Sequence, residues 1–159
     1  MDITFRQGSQ KFNYRVCAMM LWEDQILAMH DERSPYFYLP GGRVKLGETA
    51  EQALVREVRE ELGVTAKIRR PLWLSQAFFT EDVDGSRYHE LCLYFLMDPA
   101  GTGLLARGNT FIRTEGAHVH TFEWLAFDRL KEEYFYPIFL KKEIFTLPKE
   151  LTLRTEVED

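Results

Sequence analysis

Residues 42–64, GRVKLGETAEQALVREVREELGV, constrain the chain more than any other segment. They open in a glycine turn and run into a helix whose two ends are both written in the sequence. Thr49 with Gln52 three residues later makes a capping box, in which each side chain satisfies a free N–H of the first turn. Gly63 stands where a left-handed C-terminal cap belongs, because a residue without Cβ takes that conformation at no steric cost. Leu54, Val58 and Leu62 recur every four residues and form an apolar stripe that docks such a helix on a sheet.

A second stripe beside the first carries Glu57, Glu60 and Glu61. Glu57 and Glu61 are a like-charge pair one turn apart, which costs an isolated helix about 0.2–0.5 kcal/mol. Local violations of this kind concentrate at functional sites, where something else supplies the missing stabilisation. A divalent cation would supply it here. Magnesium prefers oxygen ligands and is commonly held by one or two carboxylates together with substrate phosphates. Arg56 lies four residues before Glu60 and can pair with it, fixing the carboxylate's direction. The turn Pro40, Gly41, Gly42 lets backbone approach a ligand closely. The plain alternative is a solvated face on which Arg56 and Arg59 balance the acids. The spacing speaks against it: Gly42, five residues, Glu48, seven residues, then Arg56, Glu57, Val58, Glu60, Glu61, Gly63 and Val64.

That constellation resembles the signature of the Nudix hydrolase family, Gly-x5-Glu-x7-Arg-Glu-aliphatic-x-Glu-Glu-x-Gly-aliphatic, and every specified position is matched. Residues 37–42, FYLPGG, are similar to the family's approach to its first glycine, and residues 122–125, FEWL, to its late strand. The resemblance implies an α/β fold, an α/β/α sandwich with a central mixed sheet in which a loop-helix-loop element holds metal. It implies Glu57, Glu60 and Glu61 as ligands of Mg2+ or Mn2+, Arg56 as their orienting group, Gly42 as the residue that permits the loop, and Glu48 as its support. The reaction implied is metal-dependent hydrolysis of a phosphoanhydride bond in a nucleoside diphosphate linked to another moiety. A metal acidifies its bound water and neutralises charge on the phosphoryl oxygens, so that water can attack phosphorus. The family resemblance leaves the general base open. It also leaves open a catalytically silent nucleotide-binding or sensor module, and an isomerase on the same scaffold.

Outside this segment Glu90 is the best candidate for a further ligand or base. It shares one strand face with Cys92 and Tyr94, while His89 shares the other with Leu91, Leu93 and Phe95. Gly41, Gly42, Arg43 and Tyr38 are expected at the substrate; Arg33 and Lys45 flank the same turn and read equally well as solvated loop charges. One of Tyr36, Phe37, Tyr38, Phe78 and Phe79 can stack on a base, with core packing the ordinary job of the rest.

At 159 residues the chain has the length of one domain, expected to span 1–159, with 45% hydrophobic and 28% charged residues. A net charge of -5 argues against a grip on long nucleic acid but not against a small anionic ligand, since a bound divalent cation can reverse the local field; the resemblance implies a small-molecule nucleotide-type partner. The amino terminus has no signal-peptide core and no stretch reaches membrane-spanning length, so the expectation is a cytoplasmic protein with no membrane partner. A homodimer is compatible with the sequence and not readable from it. Cys17 and Cys92 fit neither a zinc nor a CxxC spacing and are expected as buried free thiols. Strands are predicted over residues 12–22 and 26–29, before and after Pro71 (the second over 72–79), and over 88–97 and 120–127. Short helices are predicted at 128–133 and 137–145, a long loop at 98–118, and a frayed tail at 150–159.

Overall fold

The computed structural model describes residues 1–158. Its strands are β1 (Thr4–Gln7), β2 (Gln10–Trp22), β3 (Gln25–Asp31), β4 (Gly41–Arg43), β5 (Lys67–Thr80), β6 (Arg87–Asp98), β7 (Thr110–Glu115), β8 (His118–Ala126) and β9 (Thr152–Val157). Helix α1 (Ala50–Leu62) follows β4, and the four-residue α2 (Leu140–Glu143) lies between β8 and β9. The strands form one mixed sheet in the order β7-β8-β3-β2-β6-β5-β9, with β1 and β4 also on β2.

The strand β2 is the spine. One edge runs parallel to β6 from Gln10 to Met20. The other edge is shared in series by β1 at residues 10–13, β4 at 15–17 and β3 at Leu21 and Trp22. After those two pairs β3 leaves β2 and continues against β8. The gap this opens is where β4 is inserted.

Alternation along β2 feeds two cores. Val16, Ala18 and Met20 face α1, packing with Leu54, Val58, Leu62, Phe122 and Trp124. Cys17 and Met19 face the opposite side, with Trp73, Tyr94, Phe135, Phe139 and Leu140. Both faces are covered, so residues 16–20 are buried without a break, as expected of an interior strand of a sandwich. The apolar stripe of α1 is fully buried, and truncating Leu54 or Leu62 to Ala should cost about 2–5 kcal/mol. Cys17 and Cys92 are buried free thiols with their sulfurs 3.5 Å apart.

Several expectations need correction. The segment 98–118 is not all loop: it holds a 3-10 turn at Leu105–Arg107 and strand β7, hairpinned to β8. Of the tail, residue 159 lies outside the described residues, and the described part does not fray, because β9 pairs in parallel with β5 from Thr152 to Val157. Both are edge strands with one solvated face, so their composition looks like loop. Pro71 does not split β5; it falls between two register shifts against β6, where a missing N–H is tolerated. The helix expected at 128–133 is a 3-10 turn at Phe127–Arg129, and the one at 137–145 shrinks to α2.

Candidate active site

Helix α1 is fixed at both ends before any acid is placed. The Gln52 N–H donates to Thr49 Oγ1 at 3.1 Å and the Thr49 N–H to Gln52 Oε1 at 2.9 Å. Gly63 closes the helix at φ 72°, its N–H donating to the Arg59 carbonyl. With the apolar stripe on the sheet, Glu57 and Glu61 are rotated toward the β4 turn. The Gly41 N–H donates to Glu61 Oε1 at 2.8 Å. A Cβ on Gly42 would stand 2.4 Å from the Glu57 carboxyl carbon, so only glycine leaves room for that carboxylate. A Cβ on Gly41 would meet the Val16 carbonyl oxygen at 2.1 Å.

Arg56 ties helix and loop together. Its Nε and Nη2 donate to the two oxygens of Glu48 at 2.7 and 2.9 Å, a bidentate fork. Nη2 also reaches the Arg43 carbonyl at 3.0 Å, and Nη1 reaches Glu57 Oε1 at 2.9 Å. Glu48 in turn accepts from the Lys45 N–H at 2.8 Å. The guanidinium holds the Glu48 carboxyl down to about 2 and is itself pushed further into its charged form.

The three glutamates are not equivalent. Glu61 is 7% exposed; burial pushes its carboxyl well up, and Glu57 and Glu115 add to this against the Gly41 N–H. Burial also raises Glu57, with Glu60 adding to it and Arg56 opposing. Glu60 lies outside, its side chain 48% exposed and 3.4 Å from Arg56 Nη1. Among the described residues no three acids, histidines or cysteines converge as a finished ligand set. The donor set still suits a hard cation: carboxylates alone, Glu61 buried and Glu57 half-buried, both ionised at an electrostatic cost that a positive ion would remove.

Beside these acids opens a cavity of about 780 Å3. Its floor is one face of the sheet: Asn13, Arg15 and Cys17 of β2, Glu90 and Tyr94 of β6, Ser75 and Ala77 of β5. Tyr36, Tyr38, Tyr134 and Tyr136 form one wall, Phe79 and Tyr88 another, and Gly42 and Arg43 lie at the end nearest α1. Glu90 therefore reaches the cavity as its strand face predicts, and Asn13 Nδ2 donates to it at 3.1 Å. His89 points elsewhere, packed between Phe12 and Phe78. Phe37 goes to the core, Tyr36, Tyr38 and Phe79 to the cavity, and Phe78 to the opposite face of β5 with His89. Arg33 is engaged with Asp31 at 2.7 Å.

Three functional candidates escape the sequence reading. Arg15 sits on the floor; burial works against its charge, and Glu90 together with Cys17, Cys92 and Tyr94 more than offsets it. The signal was a lone cation inside the strand-forming run YRVCAMM. Glu115 of β7 approaches Glu61 and keeps a buried Oε2 without a hydrogen-bond partner; nothing in a polar loop-like segment marked it. His120 of β8 is 4% exposed, with ring nitrogens 3.8 Å from Asp31 and from Glu115. Asp31 also accepts from the Tyr38 hydroxyl at 3.1 Å, which links the cavity wall to the acids.

The model of the NUDIX domain matches residues 11–143 of this chain. The chain belongs to the Nudix family. An ADP-ribose pyrophosphatase of Methanocaldococcus jannaschii is 34% identical to this Nudix protein over 112 residues, which are 69% of the chain and 63% of the relative. A putative 8-oxo-dGTP diphosphatase of Bacillus subtilis is 44% identical over 52 residues, 33% of the chain and 35% of the relative. The Nudix chain thus spans less than two thirds of the length of these curated relatives. Among solved structures, a MutT protein of Bacillus halodurans superposes with a TM-score of 0.61 at 18% identity, covering 91% of this chain and 90% of that one. An ADP-ribose pyrophosphatase of Streptococcus suis gives 0.60 at 17% identity, covering 91% and 98%. These likenesses establish the Nudix sandwich. Among the described residues no helix is long and apolar enough to cross a membrane.

Proposed function

We propose that this Nudix protein hydrolyses a phosphoanhydride bond in a nucleoside diphosphate linked to another moiety, with Mg2+ or Mn2+ held by Glu57 and Glu61 and, from the rim, by Glu60. One observation carries the reading: a buried Glu61 and a half-buried Glu57, raised by burial and by their neighbours, face a glycine turn at the inner end of a cavity whose floor offers a guanidinium. Relatives named for ADP-ribose pyrophosphatase and 8-oxo-dGTP diphosphatase activity support the bond type.

When bound, the cation supplies charge neutralisation on the phosphoryl oxygens and an acidified water. The chain supplies the rest. Arg56 keeps Glu57 pointing at the turn and keeps Glu48 on the loop. The Gly41 N–H fixes one oxygen of Glu61, leaving the other for the site. Arg15 and Arg43 meet substrate phosphate, Arg15 from the floor and Arg43 from the turn. The stacked rings of Phe79 and Tyr88 offer an aromatic wall for the base of a nucleotide. Two carboxylates are placed to take the proton of the attacking water: Glu90, whose free oxygen faces the cavity, and Glu115, whose unpartnered oxygen lies beside Glu61.

The test is hydrolysis of a panel that includes ADP-ribose and 8-oxo-dGTP, with Mg2+ or Mn2+, by wild type and Glu61→Gln. Cleavage of at least one substrate, lost on addition of chelator and in Glu61→Gln while the fold stays intact, is expected. Tight nucleotide binding with no product from any substrate would overturn the reading in favour of a sensor module.

A further inference from the structure

The cavity is electrically two-ended. Its inner end, beside α1 and the β4 turn, contains its only two lining cations among the described residues, Arg15 and Arg43. Its outer end is lined by Glu81, Asp82, Glu156 and Glu158, and by no Lys or Arg. Glu156 is paired with Arg154 at 2.6 Å; among the described residues the other three have no ion pair. A polyphosphate is repelled there. A cation is attracted.

The same end carries the protein's densest cluster of tyrosines. The Tyr36 ring centroid lies 5.0 Å from that of Tyr136 and 5.4 Å from that of Tyr134, with interplanar angles of 86° and 51°. Tyr134 and Tyr136 are 5.8 Å apart at 58°. Three mutually tilted rings make a corner of aromatic faces, and Tyr134 and Tyr136 are 49% and 39% exposed. Large aromatic surface left open beside unpaired carboxylates is a costly arrangement for a site that takes a neutral or anionic group. It suits an ammonium. A cation within about 6 Å of a ring centroid is attracted by the negative face of the ring, and quaternary ammonium groups are recognised by such corners. The acids add Coulombic attraction: Glu158 and Asp82 both act on Tyr136, and Glu81 acts on Tyr36 more strongly than Arg15 opposes it.

We propose that the Tyr36, Tyr134 and Tyr136 corner binds a positively charged ammonium group on the moiety attached to the nucleoside diphosphate. The substrate then lies with its diphosphate at Arg15 and the α1 acids and its cation at the tyrosines. This orientation rests on the hydrolase reading; the ammonium site itself does not.

Two measurements separate them. The first needs no turnover: tetramethylammonium is titrated into the whole protein and followed by the NMR signals of the tyrosine rings, with neutral 3,3-dimethylbutanol as the matched apolar probe at equal ionic strength. Saturable shifts confined to the corner, at least tenfold tighter for the cation, are expected. Tyr136→Phe should keep them and Tyr136→Leu should weaken them about tenfold, with thermal melts confirming that both variants fold. Equal affinity for the neutral probe, or saturable shifts that Tyr136→Leu leaves unchanged, would overturn the proposal. The second compares turnover of a choline ester of a nucleoside diphosphate with its 3,3-dimethylbutyl ester. A kcat/KM at least tenfold higher for the choline ester, reduced in Tyr136→Leu and Glu158→Gln, supports the orientation. Hydrolysis of both at the same rate overturns it. Ammonium binding without hydrolysis of either ester overturns the orientation and leaves the ammonium site standing; the hydrolase reading falls only if the whole nucleotide panel is also left uncleaved.

Discussion

At the scale of single residues, the site is decided by what leaves room and what holds direction. Gly42 leaves room: alanine there would drive its Cβ into the Glu57 carboxylate. Gly42→Ala is expected to cost about 1–3 kcal/mol by overpacking, seen in urea denaturation, and to reduce hydrolysis by far more than that destabilisation explains. Arg56 holds direction. A lysine keeps the charge but cannot fork onto both oxygens of Glu48 while reaching the Arg43 carbonyl, so Arg56→Lys should lower kcat about 10–100-fold with an unchanged circular dichroism spectrum. These residues were legible because each is a fixed member of a spaced pattern. Arg15 and Glu115 were not, since each depends on a strand from elsewhere in the chain: Arg15 is opposite Cys92 across β2 and β6, and Glu115 reaches the acids only because β7 folds back on β8.

Among elements, α1 was readable to the residue and the edges of the sheet were not. Capping and the four-residue apolar repeat are local, and the sequence states them directly. The value of the cap is correspondingly modest: Thr49→Ala should cost about 1 kcal/mol in equilibrium unfolding and leave the kinetic constants near wild type. Strands β7 and β9 alternate between half-buried and exposed positions, and their solvated faces give a composition close to that of a loop. Their existence is set by the partner strand, not by their own residues. Because β9 also brings Glu156 and Glu158 to the cavity, removing residues 150–159 should do two things at once. It should expose the edge of β5 and lower Tm, and it should raise KM, measured on the truncated chain against the full one.

Taken whole, the molecule links stability to pH through acids that were buried for a purpose other than folding. Glu57 and Glu61 titrate above their unfolded values, so their ionisation costs stability. That cost is absent below the ordinary carboxylate range, about pH 4, and grows as pH rises from there through their raised values. Glu48 acts in the opposite sense: its folded value is about 2, so its contribution is present above the ordinary range and is lost as pH falls toward 2. In chelator, Tm should therefore peak in mildly acid buffer and decline toward neutral pH. Added Mg2+ should raise Tm more at about pH 8 than at about pH 5, since its carboxylate ligands must be ionised to bind it. Glu61→Gln should flatten the decline and remove most of the metal response; a decline as steep as wild type's would refute the assignment.

The shared edge of β2 has a mechanical consequence. The β4 ladder is three residues long, yet it is bracketed by β1 on one side and β3 on the other, while the far edge of β2 is held along its length by β6. Opening the turn over the acids therefore breaks its own short ladder and its ties to Glu61 and Arg56, with β2 kept in place by β6. Native-state hydrogen exchange should find the amides of Gly42 and Arg43 opening in a low-energy local event, insensitive to denaturant. The Ala18 amide, which donates to the Pro40 carbonyl, should open with them, whereas the β2 amides that donate to β6 should be released only with the sheet. The fold makes a rigid floor and a hinged clasp from neighbouring hydrogen bonds on a single strand.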